Sequence, residues 1–321
     1  MHPAYSVILF TTASGAGYGL LMLLAIGGLT GLVPVEHSVG VVGLALALAL
    51  ITIGLLSSML LLGRPERAWR AFSQWRTSWL SREGVMALAT YVPAALLAYG
   101  WIVEGEVWPL PALYAFAGAL LTVWCTGMIY QSLPTIRSWA QPLTSPVYVA
   151  LALATGGVVL VAIVVACGLL PRLTPWLAIG PLGAAWLLKV RAWHVTDTAP
   201  RTYTIGSATG LDRASATATG TTTTVSPLDS PHSQANYVMR EMGFTVARRH
   251  AQRLRELAAI TLFAVPLAMM LVVLGLQTGW IVWLASALAV VSAAIGVLTE
   301  RWLFFAEATH VVTLYYGQQA A

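Results

Sequence analysis

The 321-residue chain is 58% hydrophobic and only 9% charged, with a mean hydropathy of +0.77 and a net charge of +5. A soluble domain carries about a quarter charged residues, so this composition excludes a chain solvated on all sides and specifies an integral membrane protein. Cys125 and Cys167 lie in apolar runs without Cys-x-x-Cys spacing, which excludes a disulfide scaffold or an iron–sulfur site in this chain.

Residues 1–7 lack the basic segment of a cleavable signal peptide, and the apolar run that follows exceeds the roughly 7–15 residues of a signal core. The first helix is therefore expected to stay in the membrane. Crossing a bilayer takes about 20 apolar residues. The sequence offers eight such spans, at 4–32, 39–62, 84–103, 109–131, 146–170, 174–188, 258–276 and 280–303, the sixth being short. Tryptophans near the span ends, among them Trp79, Trp108, Trp176 and Trp302, fit interfacial belts. The expected fold is one all-α membrane domain over 1–321, a bundle of eight transmembrane helices with both termini on the same side.

Charge is distributed unequally between the two sides. The termini and the connectors after spans two, four and six hold 16 of the 17 Lys+Arg and nine of the 12 Asp+Glu, a net of +7. The other connectors hold Arg172, Glu36, Glu104 and Glu106, a net of −2. Basic residues stay on the cytoplasmic side, so both termini are expected there, in a bacterial cytoplasmic membrane.

Two connectors on that side stand out. LGRPERAWRAFSQWRTSWLSREGV (62–85) carries Arg64, Arg67, Arg70, Arg76 and Arg82. Its Trp69, Phe72, Trp75 and Trp79 recur every three to four residues, as on one face of an interfacial helix. Topology marking and headgroup anchoring account for this pattern. So does docking of an acidic partner surface, for which arginine's planar fork is suited. The second connector, 191–257, is Ser/Thr/Gly-rich and expected to be flexible at 207–233, then reads as a basic helix with Arg248, Arg249, Arg253 and Arg255 just before the membrane. Lipid headgroups or another subunit would bind there.

No histidine falls inside a predicted span, so axial ligation of a haem is not expected. No P-loop, catalytic triad or metal-ligand spacing is present, and intramembrane charge is nearly absent, against a pump or ion transporter. The remaining polar groups gather at the cytoplasmic span ends: His2, Arg82, Glu83, Tyr130, Gln131, Glu300, Arg301, Glu307 and His310. Adjacent Arg–Glu pairs at an interface are ordinarily just solvated. The sharper reading is a quinone pocket, which needs an apolar or aromatic wall, one or two hydrogen-bond donors and a proton-exchanging Glu or His.

MLLLGRPERAW and SWLSREGV (within 59–85), HPAYSVILFTTASGAGYGL (2–20), SATGL and PHSQANYVMREMGFTVARRHAQRLR (within 207–255) and TERWLFFAEATHVVTLYYG (299–317) together resemble the membrane anchor subunit of dimethyl sulfoxide reductase and its relatives. They look most like the anchor in the membrane-bound sulfite dehydrogenase branch. The resemblance implies a haem-free anchor that holds an iron–sulfur subunit and a molybdopterin catalytic subunit and exchanges electrons with quinone, ubiquinone or menaquinone. A family glutamate linked to quinol binding falls on Glu83, and a family histidine falls on Leu61, leaving His2 and His310 as substitutes. Arg82 and Tyr130 are candidate hydrogen-bond donors. The large basic connectors on the cytoplasmic side favour quinone reduction driven by cytoplasmic sulfite oxidation, in a non-catalytic-centre subunit of a sulfite:quinone oxidoreductase. The alternatives are the anchor of a reductase running from quinol to substrate, a passive anchor, or a secondary transporter built on Gly/Pro-interrupted spans.

Overall fold

The computed structural model describes residues 4–60, 62–198, 203–211, 225 and 250–316. Long apolar stretches with no room for unpaired backbone become helices, because in lipid every N–H and C=O must be satisfied within the segment. These are α1 (Tyr5–Thr30), α2 (His37–Met59), α3 (Trp79–Glu104), α4 (Pro109–Gln131), α5 (Thr144–Ala166), α6 (Trp176–Thr198), α8 (Ala251–Leu276) and α9 (Trp280–Ala306), with α7 (Ile205–Thr209) a short α-helix between α6 and α8. No strand forms among the described residues.

Seven of these helices are long and apolar enough to cross a membrane, where the sequence suggested eight. The exception is α6. It is 23 residues long, ten beyond the predicted end at 188, and that extension brings in Lys189, Arg191 and Asp197, which lower its hydropathy. Two other boundaries also move. α3 starts at Trp79 rather than 84, so Arg82 and Glu83 are helical. α8 starts at Ala251 rather than 258 and contains a π turn at Ile260–Ala264 just before Pro266. Proline lacks a donor and its ring presses on the carbonyl four residues back, which a widened turn relieves.

The arginine-rich connector is an exposed 3-10 stretch, Pro65–Gln74, followed by turns. Of the stretch expected to be flexible, 207–233, only 207–211 and 225 are described, and the first of these belong to α7, whose Thr204 and Ser207 form a capping box. The predicted basic helix enters the described residues only at His250.

Without a hydrophobic drive between helices in lipid, close approach depends on small residues. The tightest crossing is between α1 and α5, where a Cβ on Gly19 would overlap the Ala152 carbonyl and one on Gly156 would overlap the Gly19 backbone. α1 is accordingly sheathed by α2, α4 and α5. One core cluster fills α1–α5 around Leu20, Leu24, Leu97 and Trp101, and a second joins α5, α6, α8 and α9 around Leu182, Phe263 and Met270. At the end of the bundle that carries the 132–143 loop, Ile136 and Trp139 pack on Ile8 and Phe305, and Ile136 bridges to His310.

Candidate functional site

Glu83 sits on the second turn of α3, and its surroundings follow from how that helix starts. Ser81 Oγ donates to the Ala71 carbonyl, and Arg82 donates from Nε to Trp75 O (2.9 Å) and from a terminal nitrogen to Arg76 O (2.6 Å). Arg82 also lies 4.2 Å over the Trp79 ring. These contacts clamp the connector onto the start of α3. Successive residues on a helix point about 100° apart. With Arg82 turned to the connector, Glu83 faces inward and is only 4% exposed. Thr126 on α4 donates its hydroxyl to the Glu83 carboxylate while also bonding the Thr122 carbonyl at 3.0 Å.

Tyr130, one turn after Thr126, stands in an aromatic cage. It stacks on Tyr148 at 5.7 Å and meets Trp139, Phe304 and Phe305 edge-on at 5.2, 5.6 and 5.3 Å. On the far side of Tyr148 lies a buried ionic triad. Arg301 sits 4.1 Å over the Tyr148 ring and donates from Nε to Glu300 at 2.5 Å, and Lys189 pairs with the other Glu300 oxygen. The exposures of Lys189, Glu300 and Arg301 are 6, 0 and 2%, so the 300–301 pair is not solvated as an interfacial pair ordinarily is. A second cluster adjoins it: Arg255 bonds Glu307 at 3.0 Å and Asp197 at 2.7 Å, and Trp193 lies between Lys189 and Arg255, 5.1 and 5.7 Å from them. Three cations and three carboxylates thus balance across α6, α8 and α9.

His310 is held by its own turn, its Nδ1 accepting the Val312 N–H at 3.0 Å, and burial lowers its pKa from the ordinary imidazole value. Its backbone bridges to that of Ile136 in the 132–143 loop. His2, Leu61, Arg248 and Arg249 lie outside the described residues. Arg64, Arg67, Arg70 and Arg76 are all exposed, with Arg70 and Arg76 stacked on Trp69 and Trp75 at 5.6 Å. Glu83, Thr126 and Tyr130 are therefore brought to one region, whereas Arg82 and His310 are committed elsewhere. Lys189, Tyr148 and Thr126 were not singled out from sequence. Only Lys189 gave a signal, as a lone cation in an otherwise apolar run.

Between α3 and α4 runs an apolar groove of about 660 Å³, lined by residues including Met86, Thr90, Pro93, Leu96, Tyr114 and Leu121. Met86 is one turn beyond Glu83 on the same helix, so Glu83 lies within one turn of the groove's lining along α3 without being part of that lining. At a 1.5 Å rise per residue, the distance from Glu83 to Leu96 is about 20 Å. Such a groove suits a flexible hydrocarbon chain, and a buried carboxyl within a turn of it suits exchange of one proton with a carbonyl oxygen. No group of three or more His, Cys, Asp or Glu is assembled for a metal among the described residues.

The family model described as DMSO reductase anchor subunit (DmsC) matches residues 1–317. A sulfite dehydrogenase subunit of Allochromatium vinosum is 32% identical to this chain in an alignment covering the whole of both.

Proposed function

This chain belongs to the DMSO reductase anchor subunit (DmsC) family, and we propose that it is the haem-free, quinone-reactive anchor of a molybdopterin and iron–sulfur oxidoreductase complex. Electrons released from sulfite at the molybdenum subunit pass through iron–sulfur clusters of a second subunit to quinone bound against this chain. The quinone gains two electrons and two protons. The observation that carries the reading is Glu83, a carboxylate shut away from water, held by Thr126, one helical turn from the lining of the α3–α4 groove. The isoprenoid tail would lie in that groove, and Glu83 would give a proton to a carbonyl oxygen of the head. Tyr130 and its aromatic cage form the wall behind Thr126.

The sulfite assignment is supported by the name of the similar Allochromatium vinosum protein and by the charge distribution, which favours cytoplasmic partners. In this reading α6 is the eighth span and both termini face the cytoplasm of a bacterial inner membrane. The exposed Arg64, Arg67, Arg70 and Arg76, together with Arg248 and Arg249, dock the iron–sulfur subunit. The test is Glu83→Gln in the assembled complex. Sulfite-dependent quinone reduction should fall by roughly 10²–10⁴-fold, the contribution of a positioned proton-transfer group, with the partner subunits still bound. An unchanged rate overturns the assignment.

A further inference from the structure

A buried carboxylate that turns over protons needs a route for their replacement, and the polar clefts of this bundle line up as one. A surface cleft of about 440 Å³ lies between the 132–143 loop and the end of α6, with exposed Pro134, Ala140 and Pro142 at its rim. It shares Ser138, Gln141 and Thr196 with a narrower cleft that reaches Lys189, Arg301 and Tyr148. That one shares Tyr148 and Arg301 with a third cleft, lined by Thr11, Thr12, Ser14 and Thr155, whose hydroxyls bond carbonyls of their own helices, and by Thr126. Thr126 is the residue that donates to Glu83. The two inner clefts leave only about 30 and 20 Å³ to the centre of a water molecule, too little for a quinone ring and enough for one or two waters each.

Four of the seven buried side-chain atoms that lack a hydrogen-bond partner among the described residues point the same way, while Tyr18, Ser145 and Glu300 line none of these clefts. The four are Ser138 Oγ, Gln141 Oε1, Tyr148 Oη and Arg301 Nη2. All four belong to residues that line these clefts, two at the outer junction and two at the inner. A buried polar atom left unpaired costs about 1–3 kcal/mol, and ordered water with two to four such partners is the usual remedy.

We infer that these three clefts form a hydrated proton path from the membrane surface beside the end of α6 to Glu83. The inference rests on the proton role proposed above for what becomes of the proton, but the path itself does not require quinone. Each transfer is balanced: the Thr126 hydroxyl gives its proton to the Glu83 carboxylate and takes one from the adjoining water, and every link outward does the same, ending at bulk water. No electron moves along it. The neck has room for only one or two waters, which excludes a hydrated metal cation by size. An unpaired guanidinium would repel a proton, and here Glu300, paired with both Arg301 and Lys189, offsets that barrier.

The experiment follows hydrogen–deuterium exchange at the Glu83 carboxyl by infrared difference spectroscopy, using the full chain in lipid nanodiscs at acidic pH. Glu83→Gln identifies the band. Tyr148→Phe removes the hydroxyl at the neck and keeps the ring that Arg301 covers; Gln141→Leu blocks the outer junction. Each should slow exchange by about a hundredfold, the low end for a positioned proton-transfer group. Ser286→Ala on α9, which lines none of the three clefts, should exchange as the natural chain does. Should Tyr148→Phe fail to fold, Gln141→Leu carries the test alone. Exchange as fast in the folded variants as in the natural chain, or a Glu83 band that does not exchange in the natural chain, overturns the path. Quinone reduction left intact by Glu83→Gln would instead defeat the proposed function and leave the path standing.

Discussion

Glu300→Gln gives the clearest measure of what the ionic triad contributes. The substitution keeps the shape of the side chain and removes one charge from a site where Lys189, Glu300 and Arg301 are almost wholly buried. It leaves two cations with no carboxylate between them. Breaking a buried pair by neutralising one partner costs about 3–5 kcal/mol, chiefly because the charge left behind has lost its solvent and its partner alike. Polar contacts in a bilayer are worth less than in a soluble core, since the unfolded chain in the membrane also finds partners, so the low end applies. The expected loss is about 3 kcal/mol. Titration of the detergent-solubilised chain with sodium dodecyl sulfate, followed by far-ultraviolet circular dichroism, measures it. Adding Lys189→Met removes one of the stranded cations and should recover at least about 1 kcal/mol, a coupling typical of residues in direct contact. A loss under about 0.5 kcal/mol, as for an ordinary surface change, or strict additivity in the double variant, would refute the reasoning.

Gly19→Val places a branched side chain into the Ala152 carbonyl where α1 crosses α5. Overpacking costs about 1–3 kcal/mol where side chains can yield, and here the obstacle is backbone, so the upper end or more is expected, read as a lowered melting temperature and a broadened size-exclusion profile. His310 supplies a pH dependence. Burial lowers its folded pKa below that of the unfolded chain, so the unfolded state binds the proton first, and the stability it contributes is present above about pH 6.5. That contribution is lost as pH falls through this value toward the folded pKa. Thermal scans between neutral and mildly acidic pH should show the loss in the natural chain and a flatter response in His310→Asn.

The spans were legible because hydrocarbon imposes one rule on every segment, and runs such as 146–170 or 280–303 satisfy it locally. What a local rule cannot register is where a helix begins when the preceding connector folds back on it. Trp79 reads as the last of an interfacial face with Trp69, Phe72 and Trp75, with the span starting at 84, yet the side chains of Ser81 and Arg82 are what bind Ala71, Trp75 and Arg76 and extend α3 back past Glu83. The same contacts decide that Arg82 turns away from the candidate site and Glu83 into it.

The triad escaped for a different reason. Lys189 and Glu300 are 111 positions apart, and neither apolar run signals the other. A Glu–Arg neighbour pair at 300–301 fits a solvated interface as well as a buried one, and burial is settled only when α6 extends to Thr198 and brings Lys189 across from it. The extension that lowers the hydropathy of α6 is therefore the same feature that gives the buried Glu300 its second cation. Remove Lys189 and α6 becomes a better membrane helix by composition, while Glu300 keeps only Arg301. A chain selected for eight uniformly apolar spans would not keep that lysine. One that needs a polar neck between Tyr148 and the surface would.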